Sequence, residues 1–454
     1  MSRSEFKGQR LAVIGLGVSG VAMGEAALKV GAVPVVFDEK PSDVPRVMEA
    51  VDRLVGQGID VVTGWHGELE GDFDWVLVSP GLLPGHPVMS AWAGRVMGEI
   101  EFAYRIAEAP ILAVTGTNGK STTTVMLYKC LQSFGAVLAG NIAGSGYDEH
   151  VLSEAAMLAG PSDVLVAEIS SAQLETVLTW RPRVATITNI TEDHQDRYGS
   201  FDRYKAAKLA MFGQMSGNDR VVLNLDEPTV EATWSGSASL VGFHPLGGLG
   251  SGVCRREGGV LWYGDHRVEI ADLPFIGEMN IANAMTALEM ATAFLGGVDE
   301  RVLAGLLEFR PLENRMEPVG SRGGVQVVNN SMCTNPMAVI KSCESLSQKL
   351  HILMGGNTKN GDYSPLREYL QNCGHNVYLY GEDSGYLNSL LAGHYPEYSD
   401  LRSAFAEAAR LASSGEVLML APGCASSGPY ANFKERGAAF KQIAKEWLDE
   451  TTES

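Results

Sequence analysis

Residues 111–124 read Ile-Leu-Ala-Val-Thr-Gly-Thr-Asn-Gly-Lys-Ser-Thr-Thr-Thr, an apolar run that stops at a glycine-rich loop ending in Lys-Ser-Thr. A buried strand feeding such a loop makes a phosphate cradle. Backbone N–H groups and a helix N-terminus face the anion, and one lysine adds positive charge. The loop departs from the common pattern G-x-x-x-x-G-K-[ST]: Val114 stands where the first glycine belongs, and the nearest glycine is Gly116. The shorter form points to a nucleoside triphosphate, held by Gly116, Thr117, Asn118, Gly119, Lys120, Ser121 and Thr122.

Upstream, Leu11–Ile14 reads as a buried strand, followed by Gly15-Leu16-Gly17-Val18-Ser19-Gly20, an Ala-rich helix, and a second strand ending at Asp38. This is a βαβ start with a G-x-G-x-x-G loop and an acid about 20 residues on. Its geometry suits a dinucleotide, a UDP-type pyrophosphate or a plain structural turn. The triphosphate loop some way downstream favours the UDP-type ligand. Downstream, strands at 164–167, 184–188 and 221–225 end in polar residues, a small antiparallel insertion is expected between about 238 and 275, and a helix follows Asn280. From 312 the strand–helix rhythm resumes, with strands at 325–328, 350–354, 377–380 and 417–420 and an amphipathic last helix. The expectation is an α/β chain of three doubly wound sheets, with domains at 1–98, 99–311 and 312–454.

Composition fits a soluble enzyme: 454 residues, 45% hydrophobic and 20% charged. The net charge of −19 argues against a nucleic-acid partner. No run approaches the length of a membrane helix, no signal peptide is apparent, and six scattered cysteines read as reduced thiols. These features lead to the expectation of a cytoplasmic protein without membrane association.

Three further segments carry chemistry. Glu168-Ile169-Ser170-Ser171-Ala172-Gln173-Leu174-Glu175 begins where a strand ends, so Glu168 either reaches a nucleotide-bound metal or caps a helix. Asp193-His194-Gln195-Asp196-Arg197-Tyr198 follows another strand, and a lone histidine there is either solvated or a metal ligand. Tyr204-Lys205-Ala206-Ala207-Lys208 lies on a helix, where a lysine is usually a surface charge. Together with the phosphate loop, in this order and spacing, these segments resemble the Mur ligase family, over nearly the whole chain.

The resemblance implies an ATP-dependent amide ligase that adds D-glutamate to UDP-N-acetylmuramoyl-L-alanine through an acyl phosphate, in peptidoglycan precursor synthesis. An amino acid such as L-glutamate, or another UDP-muramoyl acceptor, is the alternative. The resemblance further implies a Rossmann-like first domain, a P-loop NTPase-like central domain and a Rossmann-like last domain. Lys120, Lys208 and His194 become the catalytic set. Lys120 is to hold the β- and γ-phosphates, Ser121 one of two magnesium ions, and Glu168, His194 and a carbamylated Lys208 the other. Asn280 and Arg315 are expected near ATP. Gly17, Ser19, Asp38, Asn141, Ser170 and Ser171 are expected to face the UDP substrate, and Thr334, Lys359, Ser426 and Phe433 the amino acid. The family's usual monomeric state and small-molecule partners complete the expectation. A dehydrogenase or a catalytically dead nucleotide-binding protein are the rivals. The first has only the Gly-rich N-terminal loop, and the second conflicts with the presence of Lys120, His194 and Lys208.

One segment departs. Members that add D-glutamate typically show Asn-Asp-Ser-Lys-Ala-Thr-Asn, whereas this chain has Asn329-Asn330-Ser331-Met332-Cys333-Thr334-Asn335. A carboxylate and an ammonium are lost together. Cys333 and Cys424 are expected to be packing residues.

Overall fold

In the computed structural model the N-terminal apolar run forms β1 (Arg10–Ile14), flanked in parallel by β2 (Val33–Asp38) and β4 (Trp75–Val78). With β3 (Asp60–Thr63) and β5 (Val96–Gly98) the order is β3-β2-β1-β4-β5. The order reverses between β1 and β4, which opens a crevice at the carboxyl ends of those strands. The structure describes residues 3–227, 229, 236–248, 250–358, 361–426 and 428–449.

The second sheet contains β6 (Ile111–Thr115), β7 (Ala136–Gly140), β8 (Glu149–His150), β9 (Val164–Glu168), β10 (Val184–Ile187), β11 (Arg220–Asn224) and β12 (Ser239–Phe243). Their order is β12-β11-β10-β6-β9-β7-β8, and every pairing is parallel. β6 and β9 are buried at every position. Helices cover both faces of such a sheet, so its inner strands read as continuous apolar runs rather than alternating ones. The ends of β6, β9 and β10 therefore bring the phosphate loop, Glu168 and Thr188 to one edge.

The expected antiparallel insertion is present as β13 (Cys254–Glu257), β14 (Val260–Tyr263) and β15 (His266–Glu269). The segment 239–243 does not belong to it, because β12 pairs in parallel with β11 instead. A five-residue run does not reveal its partner, and this pairing is set by the long-range register with β11.

The last sheet, β16 (Glu317–Arg322), β17 (Val325–Asn329), β18 (Leu350–Met354), β19 (Asn376–Tyr380), β20 (Glu397–Tyr398) and β21 (Val417–Leu420), has the order β16-β17-β21-β18-β19-β20. Only β16 runs antiparallel. Alternate strand residues feed two apolar clusters, one containing Val328, Ile352 and Met419 and the other Val327, Leu353 and Leu418. The loops after β17, β21 and β18 thus emerge side by side. The first three sheets belong to one compact unit. The last sheet belongs to a second unit, which also includes Leu273–Ile281. Among the described residues no helix is long and apolar enough to cross a membrane.

Candidate active site

The phosphate loop is shaped by two glycines. Gly116 has φ +147° and Gly119 φ +81°. A Cβ would meet Thr188 Oγ1 at 2.0 Å from Gly116 and Asn283 Oδ1 at 2.6 Å from Gly119. Both positions are closed to other residues, which is the signature of a backbone cradle. The helix Lys120–Leu131 starts immediately after it. The loop is stitched to the end of β10: Asn189 O accepts from the Thr117 N–H and Asn189 Oδ1 from the Asn118 N–H, both at 2.9 Å. The Thr188 hydroxyl donates to Asn118 O at 2.6 Å, and the Thr117 hydroxyl accepts from the Thr191 N–H at 3.0 Å. Lys120 Nζ donates across the loop to Thr117 O at 2.9 Å. Thr122 follows half-buried in the helix's first turn. Asn283 and Tyr204 are members of this site that the sequence reading left without a role. Asn283 Oδ1 accepts from the Thr123 hydroxyl, and the Tyr204 hydroxyl lies 3.2 Å from Thr117 Oγ1. The signal for Asn283 was its spacing in Asn280-x-x-Asn283, one helical turn.

Glu168, 3% exposed at the end of β9, accepts from the Ser121 hydroxyl at 2.5 Å and from Asn141 Nδ2 at 3.1 Å. A hydroxyl beside a carboxylate is a hard-oxygen donor pair that suits Mg2+. Lys208, expected at a helix surface on general grounds, is instead 2% exposed. Its Nζ donates to Gly116 O at 2.7 Å and lies 4.6 Å from the centre of the Tyr204 ring. Burial, reinforced by the Lys120 charge, lowers its pKa to about 7, against the opposing pull of Asp193 and Glu168. The shift enlarges the share of unprotonated, nucleophilic amine at neutral pH. His194 has φ +50° and a side chain 57% exposed. Its ring lies 6.0 Å from that of Tyr204. Among the described residues no three His, Cys, Asp or Glu side chains form a metal-shaped group. Ser121, Glu168 and Asn141 come together, Lys208 is anchored on the phosphate loop at Gly116, and His194 sits on an exposed loop.

At the N-terminal sheet a cavity of about 470 Å³ is lined by Gly15, Gly17, Ser19, Asp38, Ser79 and Gly81, among others. The Ser79 hydroxyl is buried there without a hydrogen-bond partner. Gly17 precedes the helix Val18–Lys29, so a helix N-terminus faces the cavity. The Asp38 carboxylate accepts from the Leu16 and Lys40 N–H groups at 2.6 and 2.8 Å, which fixes the loop. Ser170 caps the turn Ser171–Leu174 through Gln173.

In the second unit Arg315 lies between Asn314 (φ +64°) and Met316 (φ +45°), and Asn280 donates to Ile276 O at 2.8 Å. Thr334 follows β17, Ser426 follows β21, and Phe433 opens the helix Phe433–Asp449. The Ser426 hydroxyl is buried and without a partner. Lys359 lies outside the described residues. Cys333 and Cys424 are buried, and burial pushes their thiols up to about 12 and about 11. They are therefore protonated packing residues.

Residues 114–291 match the Mur ligase middle domain. The chain is 34% identical to the UDP-N-acetylmuramoylalanine--D-glutamate ligase of Caldanaerobacter subterraneus subsp. tengcongensis, with 96% of this chain and 98% of the relative covered. Identity to the same-named ligase of Geotalea uraniireducens is 35%, with 97% and 98% covered. The chain belongs to the Mur ligase family. Its fold is also that of the MurF ligase of Thermotoga maritima solved with ADP (TM-score 0.58, 15% identity, 97% and 96% covered). The UDP-N-acetylmuramate-alanine ligase MurC of the same organism is similar too (TM-score 0.55, 17% identity, 97% and 100% covered).

Within this Mur ligase one of the two departures, Asn330, has a structural explanation. Asn330 is 6% exposed. Its Nδ2 donates to Ser342 Oγ at 2.8 Å, and its Oδ1 accepts from the Met316 N–H at 3.2 Å. A carboxamide satisfies both partners at once, where a carboxylate has only acceptors.

Proposed function

We propose that this Mur ligase joins D-glutamate to UDP-N-acetylmuramoyl-L-alanine, converting ATP to ADP and phosphate. The observation that carries the reading is the similarity, along nearly the full length, to ligases named for that reaction. The phosphate cradle, with Ser121 and Glu168 in contact behind it, supplies the matching chemistry.

A carboxylate is a poor acyl donor because oxide is a poor leaving group. Attack of the substrate carboxylate oxygen on the γ-phosphorus releases ADP and leaves an acyl phosphate. The D-glutamate nitrogen then attacks the carbonyl carbon and loses a proton, and the tetrahedral intermediate expels phosphate to form the amide. Gly116 to Thr122 cradle the phosphates, and Lys120 places its charge on the β- and γ-phosphates, where negative charge is redistributed. Ser121 would hold one Mg2+. Glu168, His194 and Lys208, the latter as its carbamate, would hold a second. As an amine Lys208 offers nitrogen only, whereas its carbamate offers the oxygens that Mg2+ prefers. The lowered pKa supports this reading, because only the unprotonated amine reacts with carbon dioxide. When bound, the ions neutralise charge on the reacting oxygens. Asn280 and Arg315 serve ATP. Gly17, Ser19, Asp38, Asn141, Ser170 and Ser171 serve the UDP substrate, and Thr334, Lys359, Ser426 and Phe433 serve the amino acid. The protein acts as a cytoplasmic monomer on small molecules.

The test is phosphate release from ATP with Mg2+ and UDP-N-acetylmuramoyl-L-alanine, run with each amino acid and both glutamate enantiomers. Turnover with D-glutamate alone is expected. Turnover only with another amino acid would move the specificity, and no turnover at all would refute the ligase reading for these substrates.

A further inference from the structure

Arg436, in Asn432-Phe433-Lys434-Glu435-Arg436, is 1% exposed. All five of its N–H groups find acceptors. Nε donates to Ser331 Oγ at 3.2 Å, and Nη2 to Ser331 O at 2.9 Å and Cys424 O at 3.1 Å. Nη1 donates to Gly355 O at 3.2 Å and Cys424 O at 3.1 Å. These acceptors lie on the loops after β17, β18 and β21; the first leads to Thr334 and the last to Ser426. The Ser331 hydroxyl passes the link on by donating to Phe433 O at 2.8 Å. One side chain thus fastens the segments that carry Thr334, Ser426 and Phe433 to the start of the loop after β18. The fit is tight, because a Cβ on Gly356 would meet Ala425 O at 2.2 Å and Arg436 Nη1 at 3.0 Å.

Arg436 forms no ion pair among the described residues. A buried guanidinium is normally matched by a carboxylate, because taking an unpaired charge out of water is unfavourable. Here neutral oxygens satisfy its hydrogen bonds, so its place is fixed by the loop carbonyls rather than by an ion pair. Only a planar fork reaches three loops at once, so lysine is not equivalent.

We propose that Arg436 is the positioning residue of the amino-acid site: it sets the mutual spacing of the ligand-bearing segments. This deepens the D-glutamate reading and rests on it.

The experiment compares wild type with Arg436→Lys, Arg436→Met and Ser331→Ala, varying one substrate at a time. Wild type is first assayed with D-glutamate and with the other amino acids. Failure with D-glutamate there sinks the substrate assignment alone, and the variants are then read with whichever amino acid is used. The expected result is a KM for the amino acid raised tenfold or more in Arg436→Lys, further in Arg436→Met, and a few-fold in Ser331→Ala. The KM values for ATP and the UDP substrate should move less than twofold. A merely structural role would instead lower the active fraction and the melting temperature and leave all three KM values alone, and that result overturns the proposal. Equal rises in all three KM values overturn it too. If the Arg436 variants do not fold, Ser331→Ala alone decides by the same criterion.

Discussion

Lys208 is the residue whose surroundings most contradict its type. A lysine on a nine-residue helix ordinarily points to water, yet this one packs against Tyr204 and donates to Gly116 O. Replacing it with alanine should lower kcat by about 10²-fold or more, the scale of losing a charge stabiliser at the reacting centre. A short carboxylic acid, standing in for the proposed carbamate, should restore part of the activity. Unchanged turnover in the alanine variant would refute the carbamate. Gly119 tests the cradle differently. Its φ of +81° costs an L-residue about 1–2 kcal/mol, and a methyl group there collides with Asn283 Oδ1. Gly119→Ala should therefore melt several degrees lower and lose ATP binding in calorimetry. Retained affinity would mean that the loop's shape does not govern the nucleotide.

Loops and turns are where sequence and structure diverge most. The strands were legible because parallel sheets bury both faces, so runs such as Ile111–Thr115 and Leu350–Met354 stand out as unbroken apolar stretches. Ser239–Phe243 was misplaced because pairing to a distant strand leaves no local trace. The phosphate loop was legible for a stereochemical reason: glycines were needed where only glycine fits. The Arg436 fastening was not, because a buried arginine is written with the same letter as a surface one. Asn330 belongs to this class. Ser342 donates its single proton to Ala338 O at 2.6 Å, so it accepts from Asn330. Asn330→Asp would set lone pairs against each other there, and stability should fall by about 1–3 kcal/mol in denaturant titration. Amino-acid preference should stay as in wild type. A switch of preferred amino acid on that substitution would show that Asn330 selects the substrate rather than bracing the turn at Met316.

At the scale of the whole molecule the dominant fact is a net charge of −19 in an enzyme whose three substrates are all anions. Fold class was readable from the strand–helix rhythm and is shared with Mur ligases of 15–17% identity, but electrostatic balance is not a property of the fold. Local positive groups (Lys120 and the helix N-termini) act over short range, whereas the net charge repels an approaching nucleotide at longer range. Salt separates the two, because the screening length shrinks from about 30 Å at 0.01 M to about 8 Å at 0.15 M, which weakens the distant repulsion more than contacts inside a cleft. The kcat/KM for the UDP substrate should therefore rise, by roughly two- to threefold, over that range of ionic strength at constant free Mg2+. Most enzymes of anionic substrates steer with a positive surface and show the opposite slope. A fall in kcat/KM with added salt would show that positive patches around the phosphate cradle and the N-terminal cavity outweigh the overall charge at the distances where encounter is decided.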